Sequence, residues 1–117
     1  MKPIRLGVIG AGSWAVAAHL PALKARTEVE FVAVNRQGPA LLEKIREDWG
    51  FPLASEDYED VLEQAPDIVV VSSPSRFHHA HAKAALEAGA HVLCEKPMTI
   101  DPEDAWDLVE TARRVER

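Results

Sequence analysis

Cysteine is almost absent from this chain of 117 residues, and its scarcity excludes two kinds of site. The one cysteine, Cys94, cannot form a disulfide within the chain, and no second cysteine stands at the spacing of a structural zinc site. We therefore expect Cys94 to be a core residue rather than a nucleophile or a metal ligand.

Long apolar runs and clusters of positive charge are also lacking. No segment has the length of a signal peptide or a membrane span, which predicts a cytoplasmic chain with no membrane partner. The 13 basic and 19 acidic residues are interspersed and give a net charge of −6, so we expect no nucleic-acid partner. An apolar fraction of 47% predicts one ordinary globular domain over residues 1–117.

Short runs rich in β-branched residues recur along the chain and predict buried parallel strands. They cover residues 4–9, 29–34, 68–71 and 91–93, with at most a short edge strand near 50–53. Helical patterns fill the intervals at 11–26, 39–49, 58–64, 77–87 and 101–117. Proline fits only the first turn of a helix, so Pro21 is expected to divide the first interval. In the second interval the side chains expected to face the core are Leu41, Leu42, Ile45 and Trp49.

Strands that alternate with helices predict a doubly wound parallel α/β sheet, the Rossmann fold, with three layers of helix, sheet and helix. The pattern contains no sixth strand, which a dinucleotide-binding fold normally adds. One edge of the sheet is therefore expected to be bare.

A glycine-rich segment joins the first predicted strand to the first helix. Its six residues are Gly10, Ala11, Gly12, Ser13, Trp14 and Ala15. They match the dinucleotide fingerprint with alanine in its third position, and we expect them to receive a pyrophosphate at the helix start. The alternative is a glycine turn without a ligand, which the position after a first strand makes the weaker interpretation.

The end of the second strand normally selects between NAD and NADP. An acid there would bind the ribose hydroxyls of NAD, whereas this chain has Asn35 and Arg36. Arginine can pair with a 2′-phosphate, so NADP is favoured over NAD and both residues are expected near the adenosine ribose. In the alternative, Arg36 is a solvated loop residue and either cofactor binds.

Two further segments follow strands at the same predicted ligand edge. Ser73 and Pro74 follow the fourth strand, with His78 four residues later, and we expect all three beside the cofactor. His78, His79 and His81 resemble a metal cluster, but no carboxylate or further ligand accompanies them, so we predict no metal.

Glu95, Lys96 and Pro97 follow the fifth strand. A lysine there can donate to a substrate oxygen as charge develops, although a simple ion pair between Glu95 and Lys96 would fit equally well by position. The Lys96–Pro97 bond is a candidate for the cis form, because cis prolyl bonds occur in tight turns.

Together, the glycine segment, Ser73-Pro74 with His78, and the segment from Ala88 to Pro97 resemble the N-terminal domain of the Gfo/Idh/MocA family of glucose-fructose oxidoreductases and inositol dehydrogenases. The resemblance covers the whole chain. It implies NADP or NAD as cofactor and Lys96 as the catalytic lysine in hydride transfer with a sugar or polyol. Asn35-Arg36 departs from the acid that is frequent in this family, which weakens the expectation of NAD.

In this family a C-terminal α+β domain supplies most substrate contacts and the acid/base histidine. The resemblance therefore implies a truncated oxidoreductase that binds the dinucleotide but takes a small-molecule substrate only when a second domain is supplied. Two alternatives remain. One is a stand-alone nucleotide-binding or sensing module that forms a homo-oligomer, and the other is a remnant that binds nothing.

Overall fold

The strands in the computed structural model, which describes residues 2–117, lie close to the runs of β-branched residues. They are β1 (Ile4–Ile9), β2 (Val29–Asn35), β3 (Leu53–Ser55), β4 (Ile68–Val71) and β5 (His91–Cys94). All neighbours pair in parallel, in the order β3-β2-β1-β4-β5. This arrangement confirms the predicted doubly wound sheet.

Helices cover both faces of the sheet and complete the three layers. They are α1 (Leu20–Lys24), α2 (Pro39–Trp49), α3 (Tyr58–Glu63), α4 (His78–Glu87) and α5 (Pro102–Val115). Leu20 of α1 and Leu42 of α2 pack in one apolar core, whereas Val61 of α3 and Leu86 of α4 pack in the other. No helix within residues 2–117 is long and apolar enough to cross a membrane.

The first helical interval contains a turn that the sequence does not predict. Pro21 lies in the first turn of α1, as expected, but the preceding turn, Ala15–His19, is π-helical. Such turns occur mostly as single interruptions of α-helices and often lie at functional sites. This one lies directly after the glycine-rich segment.

Three predicted details of the elements are wrong. The edge strand begins at Leu53, because Gly50 ends α2 in the left-handed conformation (φ 75°) and Pro52 has no N–H to donate. Leu41 is 54% exposed, since it lies beside, not on, the helix face formed by Leu42 and Ile45. The last helix ends at Val115, before a left-handed residue.

Gly7 in the centre of β1 brings helix α3 close to the sheet. A Cβ atom at this position would lie 2.7 Å from Cγ1 of Val61. The missing side chain therefore allows close packing on this face. Because the strands are parallel, the carboxyl ends of β1, β2, β4 and β5 lie at one edge of the sheet.

An aromatic pair in the core that contains Leu20 and Leu42 gives a test of the packing. Phe51 is 1% exposed, and its ring stacks on Phe31 with centroids 4.8 Å apart. We expect Phe51→Ala to lower the free energy of unfolding by about 3–5 kcal/mol in urea denaturation, through lost burial and a cavity. The control Leu41→Ala, at an exposed site, should change it by about 0.5 kcal/mol or less. A similar loss in both variants would contradict this packing.

Candidate cofactor-binding site

The glycine-rich segment forms a tight turn at the end of β1. Gly10 has a positive φ of 78°, which favours glycine. The N–H of Val16 donates to the oxygen of Gly12 at 3.2 Å, so helical hydrogen bonding begins at Gly12. The amides of residues 13–15 therefore occupy the first helical turn, where N–H groups have no helical acceptor. These amides can bind an anion.

The two glycines differ in their surroundings. A Cβ atom on Gly10 would lie 2.3–2.5 Å from Ser73, so the turns after β1 and β4 touch through their backbones. A Cβ atom on Gly12 would find only the oxygen of Gly10, at 4.0 Å. Gly10 is thus required for packing, whereas Gly12 leaves open space beside the helix start.

Asn35 is held by the protein on both sides of its amide. Its Oδ1 accepts from the N–H of Gly10 at 3.0 Å, and its Nδ2 donates to the oxygen of Ser55 at 3.1 Å. The residue is 5% exposed. The side chain therefore joins the glycine turn to β3, and its predicted contact with a ribose stays a prediction.

Arg36 lies across the glycine turn. Its Nη1 donates to the oxygen of Ala11 at 3.2 Å and its Nε donates to the oxygen of Gln37 at 2.8 Å. A guanidinium carries five N–H groups, so donors are left over for a ligand. Arg36 therefore combines a fixed position with free donor capacity.

A cleft of about 670 Å³ opens between these turns. It brings together most of the predicted cofactor residues, whereas Ala11 and Ala15 are buried beneath the turn. Its predicted lining residues are Gly10, Gly12, Ser13, Trp14, Asn35, Arg36, Ser73 and Pro74. The sequence did not predict that Gln37, Arg76, Phe77 and His81 also line it. For Arg76 and Phe77, the one available signal was their proximity to Pro74 in the chain.

The three histidines of α4 point to different partners. His78 is 1% exposed and contacts two backbone carbonyl oxygens, while Nε2 of His79 lies 2.7 Å from Oδ2 of Asp107. Nδ1 of His81 lies 2.8 Å from Oγ of Ser73. Burial, with a smaller effect of His78, lowers the pKa of His81. Residues 2–117 contain no group of three or more potential ligands placed to hold a metal ion.

The segment after β5 forms a second turn at the same sheet edge. Nε2 of His19, from the π-helical turn, donates to Oε2 of Glu95 at 2.6 Å, and this bond lowers the pKa of the Glu95 carboxyl. Oε1 of Glu95 accepts from the N–H of Lys96 at 3.2 Å. Glu95 is thus paired with His19, a residue that no sequence pattern indicated.

Lys96 is exposed, and the Lys96–Pro97 peptide bond is cis. Glu95, Lys96 and Pro97 lie beyond the residues that line the cleft. We call residues 95–97 the lysine turn. Beside it, burial raises the pKa of the Cys94 thiol to about 11, so this thiol stays protonated at neutral pH and is a poor nucleophile.

Comparisons with known proteins identify relatives of this chain. Residues 4–117 match a family described as an oxidoreductase family with an NAD-binding Rossmann fold. D-glucoside 3-dehydrogenase of Escherichia coli is 39% identical over 115 residues. A 3-ketoreductase from Actinomadura kijaniata, solved with NADP and TDP-benzene, superimposes with a TM-score of 0.90 and 36% identity. A Chromobacterium violaceum dehydrogenase, solved with NADH and UDP-GlcNAcA, gives a TM-score of 0.92 and 32% identity.

The chain covers only part of each relative. Its match takes in 97% of this chain and 33% of the E. coli dehydrogenase. For the two structures the shares are 97% against 35% and 100% against 34%. The chain therefore spans about a third of the length of these relatives.

The contrast between the two glycines gives a second test. We expect Gly10→Ala to lower the free energy of unfolding by about 3 kcal/mol or more, because it combines a positive φ with a backbone clash. Gly12→Ala should cost about 1 kcal/mol or less, since its Cβ enters open space. Urea denaturation of both variants measures the difference. Equal losses would show that the close approach of Gly10 to Ser73 is not required for stability.

Proposed function

The chain belongs to the Gfo/Idh/MocA oxidoreductase family, and from this membership we propose that residues 1–117 act as the dinucleotide-binding domain of an NADP-preferring enzyme. The reaction is hydride transfer between the nicotinamide and a sugar, polyol or related substrate that bears a hydroxyl or carbonyl. The observation that carries the proposal is the cleft, in which the glycine turn, an open helix start and Arg36 converge.

The residues of the cleft fit a dinucleotide. The amides at the start of the first helix are suited to a pyrophosphate, because they offer unpaired donors at the positive end of the helix dipole. The open space beside Gly12 allows the phosphates to approach the backbone. Ser73 and Pro74 then flank the cofactor on the β4 side.

Arg36 supports a preference for NADP. Its guanidinium lies beside the ribose end of the proposed site and has donors free for a 2′-phosphate. An acid at the end of β2 would bind the ribose hydroxyls of NAD, whereas this chain has Asn35 and Arg36 there. Solved relatives hold NADP in one case and NADH in another, so the choice depends on residues of this chain.

Lys96 is the proposed catalytic residue. A bound nicotinamide supplies or accepts a hydride at its ring carbon. The part of this chain is to orient the reacting groups and to place the Lys96 ammonium beside the substrate oxygen, where it stabilises negative charge. Its exposed position at the sheet edge leaves it accessible to a substrate.

A second domain is proposed to complete the substrate site. The lysine turn lies outside the cleft, and its Lys96 side chain is exposed. Hydride transfer requires a site from which water is excluded. We therefore infer that residues 1–117 alone bind a cofactor without turning over a sugar.

The cofactor preference is the first functional test. We expect calorimetric titration to show tighter binding of NADPH than of NADH. Arg36→Gln should weaken NADPH about ten- to hundredfold, because two charge-assisted hydrogen bonds are lost, with little effect on NADH.

Two further variants act as controls in these titrations. Gly12→Ala should weaken both cofactors, because its Cβ occupies the space proposed for the pyrophosphate. Arg76→Gln removes the same charge from the cleft, after β4 instead of β2, and should affect both cofactors similarly. A selective loss of NADPH in Arg76→Gln but not in Arg36→Gln would transfer the phosphate contact to Arg76.

Turnover is the second functional test. With NADP and a panel of sugars and polyols, we expect residues 1–117 to give no increase in absorbance at the NADPH band. Joined to the C-terminal domain of a relative, the chain should gain turnover, and Lys96→Ala should abolish it while cofactor affinity is retained. Unchanged turnover in Lys96→Ala would remove this lysine from the mechanism.

A second candidate function is a stand-alone sensing module that forms a homo-oligomer. It is favoured by large apolar side chains that are exposed in β5 and between β5 and α5. These are Leu93, Met98 and Ile100, which are 50%, 41% and 63% exposed. Light scattering on the titration samples distinguishes the two. An oligomer that changes with NADPH supports the sensor, whereas a monomer throughout contradicts it.

A further inference from the structure

Both ring nitrogens of His78 lie within hydrogen-bond distance of backbone carbonyl oxygens, so neither is free for a ligand. Nε2 lies 2.6 Å from the oxygen of Ser73, and Nδ1 lies 2.7 Å from the oxygen of Pro97. The residue is 1% exposed and does not line the cleft. The ring therefore acts on the protein backbone and not on a ligand.

The two acceptors belong to different turns. Ser73 follows β4, and Pro97 closes the lysine turn after β5. Carbonyl oxygens only accept, so the imidazole donates to one of them when neutral and to both when it carries a second proton. One buried ring thus spans the two turns from below.

Ser73 extends this connection to the glycine turn. Its backbone lies so near Gly10 that a Cβ atom there would come within 2.3 Å of the Cα of Ser73. A close backbone contact joins Gly10 to Ser73, and the His78 ring, with short N···O distances to two carbonyl oxygens, joins Ser73 to Pro97. This path links the proposed pyrophosphate site to the proposed catalytic lysine.

We propose that His78 is a positioning residue that fixes the lysine turn relative to the glycine turn. The inference rests on the proposed function, since it assigns the two ends of one dinucleotide to the two turns. His78 touches neither cofactor nor substrate. It determines the position of the lysine turn relative to a cofactor that is bound at the glycine turn.

The experiment compares whole NADPH with 2′-phospho-ADP-ribose, which lacks the nicotinamide. In His78→Ala we expect NADPH affinity to fall about tenfold or more, with less than about a threefold change for the fragment. His78→Gln keeps one N–H donor and should lie between this variant and the wild type. The matched control is His79→Ala, one residue away on the same helix, where both ligands should bind as in the wild type.

Amide hydrogen exchange gives a readout that needs no cofactor. In His78→Ala the amides of Glu95, Lys96 and Met98 should exchange about tenfold faster or more, while those of β1 and β2 keep their protection. In the wild-type protein, an imidazole N–H of His78 should be visible by NMR as a slowly exchanging proton. This last measurement holds even where a variant fails to fold.

Three results would overturn the positioning role. They are an equal loss of both ligands in His78→Ala, unchanged exchange of the Glu95, Lys96 and Met98 amides, and a rapidly exchanging ring in the wild type. If the wild-type chain binds neither ligand, the proposed function fails by itself. The two exchange measurements then still decide whether His78 holds the lysine turn.

Discussion

The contact between Gly10 and Ser73 is the constraint on which the ligand edge depends. No side-chain atom fits between these two segments, so the turns after β1 and β4 meet backbone to backbone. Their spacing is set by hard-sphere repulsion, which is far stiffer than any single hydrogen bond. This contact determines the direction in which the first helix begins. Every group proposed to bind the cofactor is positioned relative to it.

Buried polar groups extend this connection along the edge. Asn35 joins the glycine turn to β3 on one side, and His78 joins Ser73 to Pro97 on the other. Within residues 2–117 no buried side-chain nitrogen or oxygen lacks a hydrogen-bond partner. Since an unpaired buried polar group costs about 1–3 kcal/mol, the network resists rearrangement. The turns after β1, β4 and β5 have no regular secondary structure, yet buried contacts hold them in place.

Most of the fold could be predicted from the sequence, because its signals are local. Runs of β-branched residues mark the strands, and the glycine segment carries its own turn geometry. The errors fall where a single residue decides the outcome. Pro52 decides where the edge strand begins, and Leu41 lies just beside the buried face of α2. The site was harder, because its contacts join distant segments: no local pattern distinguishes His19, which pairs with Glu95 76 residues away, from any other helical residue. Asn35 was predicted by its position to contact a ribose, and its hydrogen bonds to the protein depend on the glycine turn and β3 lying beside it.

The sequence separation of the residues in these contacts affects how the chain folds during synthesis. Gly10 meets Asn35 across 25 residues and Ser73 across 63, and the Lys96 end is reached only when residue 97 is in place. Contacts between such distant segments form late, because a long loop must first be closed. A nascent chain thus carries the glycine-rich segment without a complete cleft until residue 81 has been synthesised. A dinucleotide that binds only the folded arrangement would stabilise that arrangement against unfolding.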